Sequence, residues 1–255
     1  MTIRHSDYLD RIAYRGPLEP TADTLRQLQL AHLLAVPFEN LSIHAREPII
    51  LDDAALFDKI VSRRRGGFCY ELNGLFSALL RHLGFAVTMI QAEAVGADGT
   101  FGPPFDHMAL VVMLEERWLV DVGFGDSFRE PLRLDVRTIQ EQGAGAYRIA
   151  DAGPALVVTQ RDTGRRWRSQ YRFDLTPRVY ADYAAMCHYH QTSPDSHFTR
   201  QRLCSIATVD GRATISGNRL IVTSGGKRRE LPLADEPQYE GALRDYFGIV
   251  MAVST

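Results

Sequence analysis

Cysteine is scarce in this 255-residue chain: Cys69, Cys187 and Cys204 are the three, an odd number with no repeated spacing. That excludes a disulfide framework and fits a reducing compartment. No apolar run reaches the about 18 residues that mark a membrane-spanning helix. The opening residues, Met1-Thr2-Ile3-Arg4-His5-Ser6-Asp7, lack the apolar core of a secretion signal, so a cytoplasmic protein is expected. An excess of one charge is missing too. Lys and Arg total 29 against 31 Asp and Glu, a net charge of −2 that gives no electrostatic case for nucleic acid or an anionic membrane as partner. The basic clusters Arg63-Arg64-Arg65, Arg165-Arg166 and Lys227-Arg228-Arg229 are short and carry no interleaved stacking aromatics. There is no internal repeat and no low-complexity linker. Cys187-His188-Tyr189-His190, with His197 nearby, lacks Cys-x2-Cys or His-x3-His spacing, so no metal is expected, and His188 and His190 read as part of a connection between domains.

What is present concentrates at one cysteine. In Arg64-Arg65-Gly66-Gly67-Phe68-Cys69-Tyr70-Glu71-Leu72-Asn73, a glycine turn leads into a helical pattern. Leu72, Leu75, Phe76, Leu79, Leu80 and Leu83 fall at i, i+3, i+4, i+7 spacing, and Gly84 stops the run after Arg81 and His82. Cys69 is therefore placed in or just before the first turn. Unpaired N–H groups and the positive helix end favour a thiolate there, and the two glycines leave the sulfur accessible. This is the pattern of an activated nucleophile. Composition alone would also allow a packed core cysteine.

A histidine and an aspartate supply the partners. His107 opens the apolar run Met108-Ala109-Leu110-Val111-Val112-Met113-Leu114 after Gly102-Pro103-Pro104, and Asp121 sits in Trp118-Leu119-Val120-Asp121-Val122 before Gly123-Phe124-Gly125. An antiparallel strand pair is expected. A buried Asp121 carboxylate needs a partner, and a histidine N–H would satisfy it and fix the tautomer able to take a thiol proton. A tight turn centred on Glu116 would set Asp121 opposite Val111, four residues or about 13 Å from His107. A bulge, or a turn nearer Leu114, would bring the two together. Glu39 and Glu71, close by, are expected to hold loops through backbone hydrogen bonds or an ion pair with Arg65, with no chemistry of their own.

The first 83 or so residues read as helical, with starts at Ser6-Asp7, Thr21 and Asp52 or Asp53 and a third helix over 54–61. From Phe85 short strand-like runs follow: 86–95, 108–114, 118–122, 146–149, 155–160 and 167–173. Turns are expected at Gly96-Ala97-Asp98-Gly99, Gly143-Ala144-Gly145 and Asp162-Thr163-Gly164. Runs at 203–209, 219–223 and 227–231 and a helix over 236–247 close the chain. The unaided reading is α+β, with an antiparallel barrel or sandwich after the helices.

Arg65-Gly66-Gly67-Phe68-Cys69 with Glu71-Leu72-Asn73, Phe105-Asp106-His107, and Leu119 through Gly125 together resemble the arylamine N-acetyltransferases. Val36-Pro37-Phe38-Glu39-Asn40-Leu41, Ser193-Pro194-Asp195-Ser196-His197-Phe198 and Leu203-Cys204-Ser205 extend the resemblance over nearly the whole chain, in the manner of a bacterial member. It implies a helical bundle over 1–84 carrying the nucleophile, a β-barrel over 85–190 carrying His and Asp, and an α/β lid over 191–255, around a cysteine-protease-like core. It further implies a Cys69–His107–Asp121 triad, acetyl-CoA as acyl donor without a metal, an arylamine, arylhydrazine or N-hydroxyarylamine acceptor, and a place in xenobiotic metabolism. Phe124 would line the acceptor pocket, Gly125 would border the cleft, and Phe38 and Val95 are carried over to the same pocket. One of the basic clusters is left to meet coenzyme phosphates. From residue types alone, a cysteine hydrolase on the same triad and a non-catalytic small-molecule binder stay open.

Overall fold

Helical apolar spacing in the first third of the chain becomes α1 (His5–Arg11), α2 (Ala22–Ala35), α3 (Leu41–His44), α4 (Asp53–Phe57) and α5 (Cys69–His82). The computed structural model describes residues 4–143, 145–161 and 166–251. Side chains cap the starts: Thr21 Oγ1 accepts the Thr24 N–H at 3.2 Å, and Asp52 Oδ1 accepts those of Ala54 and Ala55, each at 2.9 Å. The helix expected over 54–61 is interrupted. α4 stops at Phe57, and Asp58–Ser62 winds as a π-turn closed by the Arg63 N–H on Asp58 O at 2.9 Å, which carries Lys59 into the interior.

The alternating segments pair as one eight-stranded antiparallel sheet in the order β5-β4-β3-β2-β9-β8-β7-β6. Its strands are β2 (Ala86–Ala94), β3 (His107–Met113), β4 (Arg117–Val120), β5 (Leu132–Arg133), β6 (Gln140–Gln142), β7 (Gly145–Ala152), β8 (Ala155–Arg161) and β9 (Trp167–Phe173), with β1 (Phe38–Glu39) lying elsewhere. The turn expected at Asp162-Thr163-Gly164 and Ala144 lie outside the described residues, but β8 and β9 pair antiparallel with a bulge at Val158/Thr159. The sheet curls into a nearly closed barrel. Glutamine side chains bridge its open seam: Gln140 exchanges two hydrogen bonds with the Arg133 backbone at 2.8 and 3.0 Å. Gln142 accepts from the Arg129 and Glu130 N–H groups at 3.0 and 3.1 Å and donates to Glu130 O at 2.7 Å.

Strand β3 divides two cores by its pleat. Met108, Leu110 and Val112 join Leu72, Leu75 and Leu79 of α5, whereas Ala109 and Val111 face the barrel interior with Ile149, Val158 and Phe173. A third core lies between α8 (Glu236–Phe247) and the sheet β1-β10-β11-β12-β13, whose later strands are β10 (Leu203–Thr208), β11 (Gly211–Ser216), β12 (Arg219–Ser224) and β13 (Lys227–Pro232). Helices α6 (Tyr180–Thr192) and α7 (His197–Arg200) connect barrel to sheet, and Tyr183 and Cys187 pack into the first core. The architecture is α+β: helical bundle, antiparallel barrel, α/β C-terminal layer. No helix among the described residues is long and apolar enough to cross a membrane.

His32 of α2 is fully buried, with Nδ1 2.8 Å from the Tyr8 hydroxyl, and burial, followed by the Arg11 charge, pushes its imidazole down to about 3. An unfolded chain regains the ordinary value near 6.5. The unfolded state therefore binds the extra proton between those limits, and this contribution to stability is present above pH 6.5 and lost as pH falls toward 3. Urea unfolding of wild type and His32→Gln should show this. The wild-type loss of up to about 1.4 kcal/mol per pH unit from this one group should be missing from the variant between pH 6 and 4.

Candidate active site

Cys69 is the first helical residue of α5, and a cluster of buried charges sets the approach to it. Arg65 Nη2 lies 2.9 Å from Glu39 Oε1, Lys59 Nζ lies 2.6 Å from Glu71 Oε1, and Lys59 reaches Glu39 at 4.0 Å. Glu39 also accepts the Leu41 N–H at 2.6 Å, and Glu71 accepts the Phe68 N–H at 3.0 Å. Arg65 thus belongs to Glu39, while Glu71 is neutralised by Lys59. Burial pushes both carboxyls up. At Glu39 the Lys59 and Arg65 charges overcome it and hold the group below its usual range, whereas Glu71, with Glu39 as a like-charged neighbour, stays above its usual range.

His107 and Asp121 meet on the barrel side of β3 and β4. The pairing runs from Leu110↔Val120 to Met113↔Arg117. The turn is therefore centred on Glu115, not Glu116, and Asp121 continues the register opposite Ala109 instead of Val111. The remaining offset is two residues, about 7 Å along the strand, which the chain closes as it leaves β4. His107 Nε2 lies 2.7 Å from Asp121 Oδ2. Asp121 Oδ1 accepts from Asn73 Nδ2 at 2.9 Å and from the Gly123 N–H at 2.8 Å. Both oxygens of the buried carboxylate are thereby partnered, with three hydrogen bonds between them.

Asn73, one helical turn beyond Cys69, welds α5 to both strands. Its Nδ2 also donates to Met108 O at 2.7 Å, and its Oδ1 accepts the Val122 N–H at 2.9 Å. Gly123 completes the joint, because a Cβ there would stand 2.8 Å from Cys69 Cα and 2.7 Å from Asn73 Nδ2. The loop ahead of His107 is held in a strained form. Phe105 has φ +65°, its carbonyl accepts the Tyr70 hydroxyl at 2.6 Å, and its N–H donates to Gln91 Oε1 at 3.1 Å.

The thiol is less exposed than the glycine turn suggests: Cys69 is 3% exposed. Burial pushes its thiol well up, and the Asp106 and Asp121 carboxylates add to this, opposed by a Met108 N–H hydrogen bond. The field at a helix start does not by itself set this group.

One cavity of about 380 Å³ collects the remaining residues. Cys69, His107, Phe38, Val95, Phe124 and Gly125 all line it, with Phe198 opposite Phe38. The Phe124 and His107 rings stand edge to face with centroids 5.2 Å apart. At Arg212 and Asp126 this space adjoins a second cavity of about 790 Å³, bordered by Arg129 and Arg228 as well. Arg129 is spent on the carbonyls of Thr208, Val209 and Gly211. Sequence reading gave no role to Asn73 or Arg212. A polar residue on an otherwise apolar helix face was the available signal for Asn73; Arg212 had none.

Fold and site define a mixed helix-and-barrel protein with a buried thiol and a carboxylate-bound imidazole sharing one apolar cavity. A family model described as N-acetyltransferase matches residues 21–255. Arylamine N-acetyltransferase of Escherichia coli (strain K12) is 34% identical over 98% of this chain and 90% of that protein. The arylamine N-acetyltransferase / N-hydroxyarylamine O-acetyltransferase of Salmonella typhimurium is 34% identical over 90% of this chain and 83% of its own length. The structure of Mycobacterium marinum arylamine N-acetyltransferase in complex with CoA superposes with a TM-score of 0.90 at 35% identity, covering 96% of this chain and 93% of that one. The chain belongs to the arylamine N-acetyltransferase family.

Asn73→Leu keeps the heavy-atom branching of the side chain but strands Met108 O, Val122 N–H and one Asp121 lone pair. A loss of at least about 2 kcal/mol in denaturant unfolding is expected. A loss under 0.5 kcal/mol would show that these groups find other partners.

Proposed function

We propose that this chain carries an acetyl group from acetyl-CoA to an arylamine, arylhydrazine or N-hydroxyarylamine in two half-reactions, through an acetyl thioester on Cys69. The observation that carries the reading is the use of His107 Nε2 by Asp121, which leaves Nδ1 as the ring nitrogen available to a thiol in the same cavity. The proton of Cys69 passes to His107, and the sulfur attacks the thioester carbonyl carbon. Burial makes a lone thiolate costly, so the proton stays in the site as a thiolate–imidazolium pair, which Asp121 stabilises. The Cys69 N–H faces the developing oxyanion. As the C–S bond to coenzyme A breaks, His107 returns the proton to the departing thiolate. In the second half the acceptor nitrogen of an arylamine or arylhydrazine, or the hydroxyl oxygen of an N-hydroxyarylamine, attacks the acetyl carbon, His107 takes its proton, and the C–S bond breaks to release the Cys69 thiolate.

The apolar walls set by Phe38, Val95, Phe124 and Phe198 suit a flat aromatic acceptor. Aromatic amines are also neutral nucleophiles at physiological pH. The second cavity supports a phosphate-bearing donor. Arg212, whose Nε lies 3.2 Å from Asp126 Oδ1 and whose Nη1 donates to Ser205 Oγ at 3.0 Å, stands where the two spaces meet, and Arg228 of the third basic cluster borders the far one. No metal enters this scheme.

Mixing the protein with acetyl-CoA alone should add one acetyl group to the Cys69 peptide by mass spectrometry, and Cys69→Ser should lose both label and turnover. Acetyl-CoA hydrolysis that ignores added arylamine would instead favour a hydrolase.

Asp121→Asn should cost on the order of a thousandfold or more in turnover, because an amide cannot stabilise the His107 cation. Alkylation of Cys69 against pH should be half-maximal below about 8.5 in wild type and move upward in the variant. Coincident profiles in folded proteins would remove Asp121 from the mechanism.

Cys187 and Cys204 are buried, and burial pushes the Cys187 thiol up to about 12. Replacing both with alanine should leave acetyl transfer within a fewfold of wild type while lowering stability by about 2 kcal/mol or more. A collapse of activity with Cys69 still alkylatable would point to the wrong sulfur.

A further inference from the structure

A second imidazole–carboxylate contact lies beside the first and has no part in the acyl transfer described above. Asp106 precedes His107 in the chain and lines the same cavity, with its side chain 15% exposed. His190, on the last turns of α6, is 2% exposed, and its Nε2 lies 3.2 Å from Asp106 Oδ1. The approach is close enough for charge attraction but too poorly aligned to be a hydrogen bond, so this buried nitrogen has none. The other ring nitrogen is fixed: Nδ1 lies 3.0 Å from Ser196 Oγ, which also accepts the Phe198 N–H at 3.3 Å. The second carboxylate oxygen presses on Gly102, where a Cβ would come within 2.8 Å of Asp106 Oδ2. Asp106 is thus held between α6 and the backbone of its own loop.

Such a carboxylate works against the neighbouring thiol. Two carboxylates bear on Cys69, and both oppose its ionisation. Asp121 is answered by His107. Asp106 is answered by His190 at 3.2 Å, and His197 of α7 also feels its charge; Tyr70 from α5, Tyr189 on the same helix and Arg200 on α7 are the other titratable or charged groups about that ring.

We propose that His190 is a positioning residue for acyl transfer: it holds the Asp106 carboxylate against α6 and offsets its negative charge at the wall of the Cys69 site. The proposal rests on Cys69 being the nucleophile. Without His190, the uncompensated Asp106 charge disfavours the thiolate and the first half-reaction slows. Removing Asp106 as well lifts the penalty, which a purely structural role for His190 would not allow.

The test is iodoacetamide alkylation of Cys69 from pH 5 to 10 in wild type, His190→Phe, Asp106→Asn and the double variant. Phenylalanine keeps the ring packing against Phe68 and Phe198. His190→Phe should slow alkylation at pH 7 about tenfold and move the profile to higher pH, and adding Asp106→Asn should restore the rate to within about twofold of Asp106→Asn alone. An unchanged profile in His190→Phe, or a double variant as slow as the single one, overturns the proposal. If His190→Phe does not fold, His190→Gln, which keeps a donor but cannot carry the charge, is judged by the same two criteria. Acetyl labelling of wild-type Cys69 is measured alongside. Its absence defeats the nucleophile assignment itself, whereas its presence with an unmoved His190→Phe profile defeats only the role of His190.

Discussion

Four buried charges, two of each sign, carry the approach to the thiol. Lys59, Arg65, Glu39 and Glu71 come from a π-turn, the glycine turn, β1 and α5, and each side chain is at most 6% exposed. An unpaired charge in that position would cost several kcal/mol, so the four segments are locked to one another or not placed at all. Because Glu39 and Glu71 also take the Leu41 and Phe68 N–H groups, the lock extends to the backbone on either side of Cys69. The interaction adds little net stability over a well-packed apolar alternative. What it does is fix where the helix begins.

From that fixed start, β3 acts as the common wall of the molecule. Its even residues face α5 and its odd residues the barrel, so His107 belongs to the barrel rim while Met108, next in sequence, touches the helix. Cys69 and His107 therefore reach the same cavity from opposite sides of one strand. Asn73 spans the joint, holding Met108 O, Val122 N–H and Asp121 at once. A helix dipole acting on an accessible sulfur is too simple an account of this site. Burial and two carboxylates raise the thiol, and the Met108 N–H hydrogen bond opposes them.

Much of this was legible in the sequence where a period was strong. α5 and α8, and strands β2 to β4 and β7 to β9, follow from apolar spacing and from glycine and proline breaks. α6 was not visible, because its buried stripe of Tyr183, Cys187 and His190 has helical spacing but half-polar chemistry. His188 and His190 consequently read as a connection, although His190 is buried in an aromatic cluster beside the cavity. β11 was passed over because Ala213 and Ile215 alternate with Arg212 and Thr214 in too short a run. The His107–Asp121 register stayed open between a turn centred on Glu116 and one nearer Leu114, since Leu114-Glu115-Glu116 contains no glycine or proline to fix the turn centre; the structure takes the second. The cysteine, histidine and aspartate themselves were identifiable because each is an oddity in its own pattern.

The barrel seam has a consequence outside catalysis. An open sheet ends in two rows of backbone donors and acceptors, and such rows invite strands of other molecules. Here the amides of Gln140 and Gln142 stand in for the missing ladder, occupying the backbone of Arg129, Glu130 and Arg133. A side-chain amide offers the same donor and acceptor as a peptide but ends after one unit and cannot propagate. The two glutamines thus occupy five backbone groups of Arg129, Glu130 and Arg133 with which a foreign strand could otherwise pair. They protect the folded protein from edge-to-edge association without requiring the sheet to close.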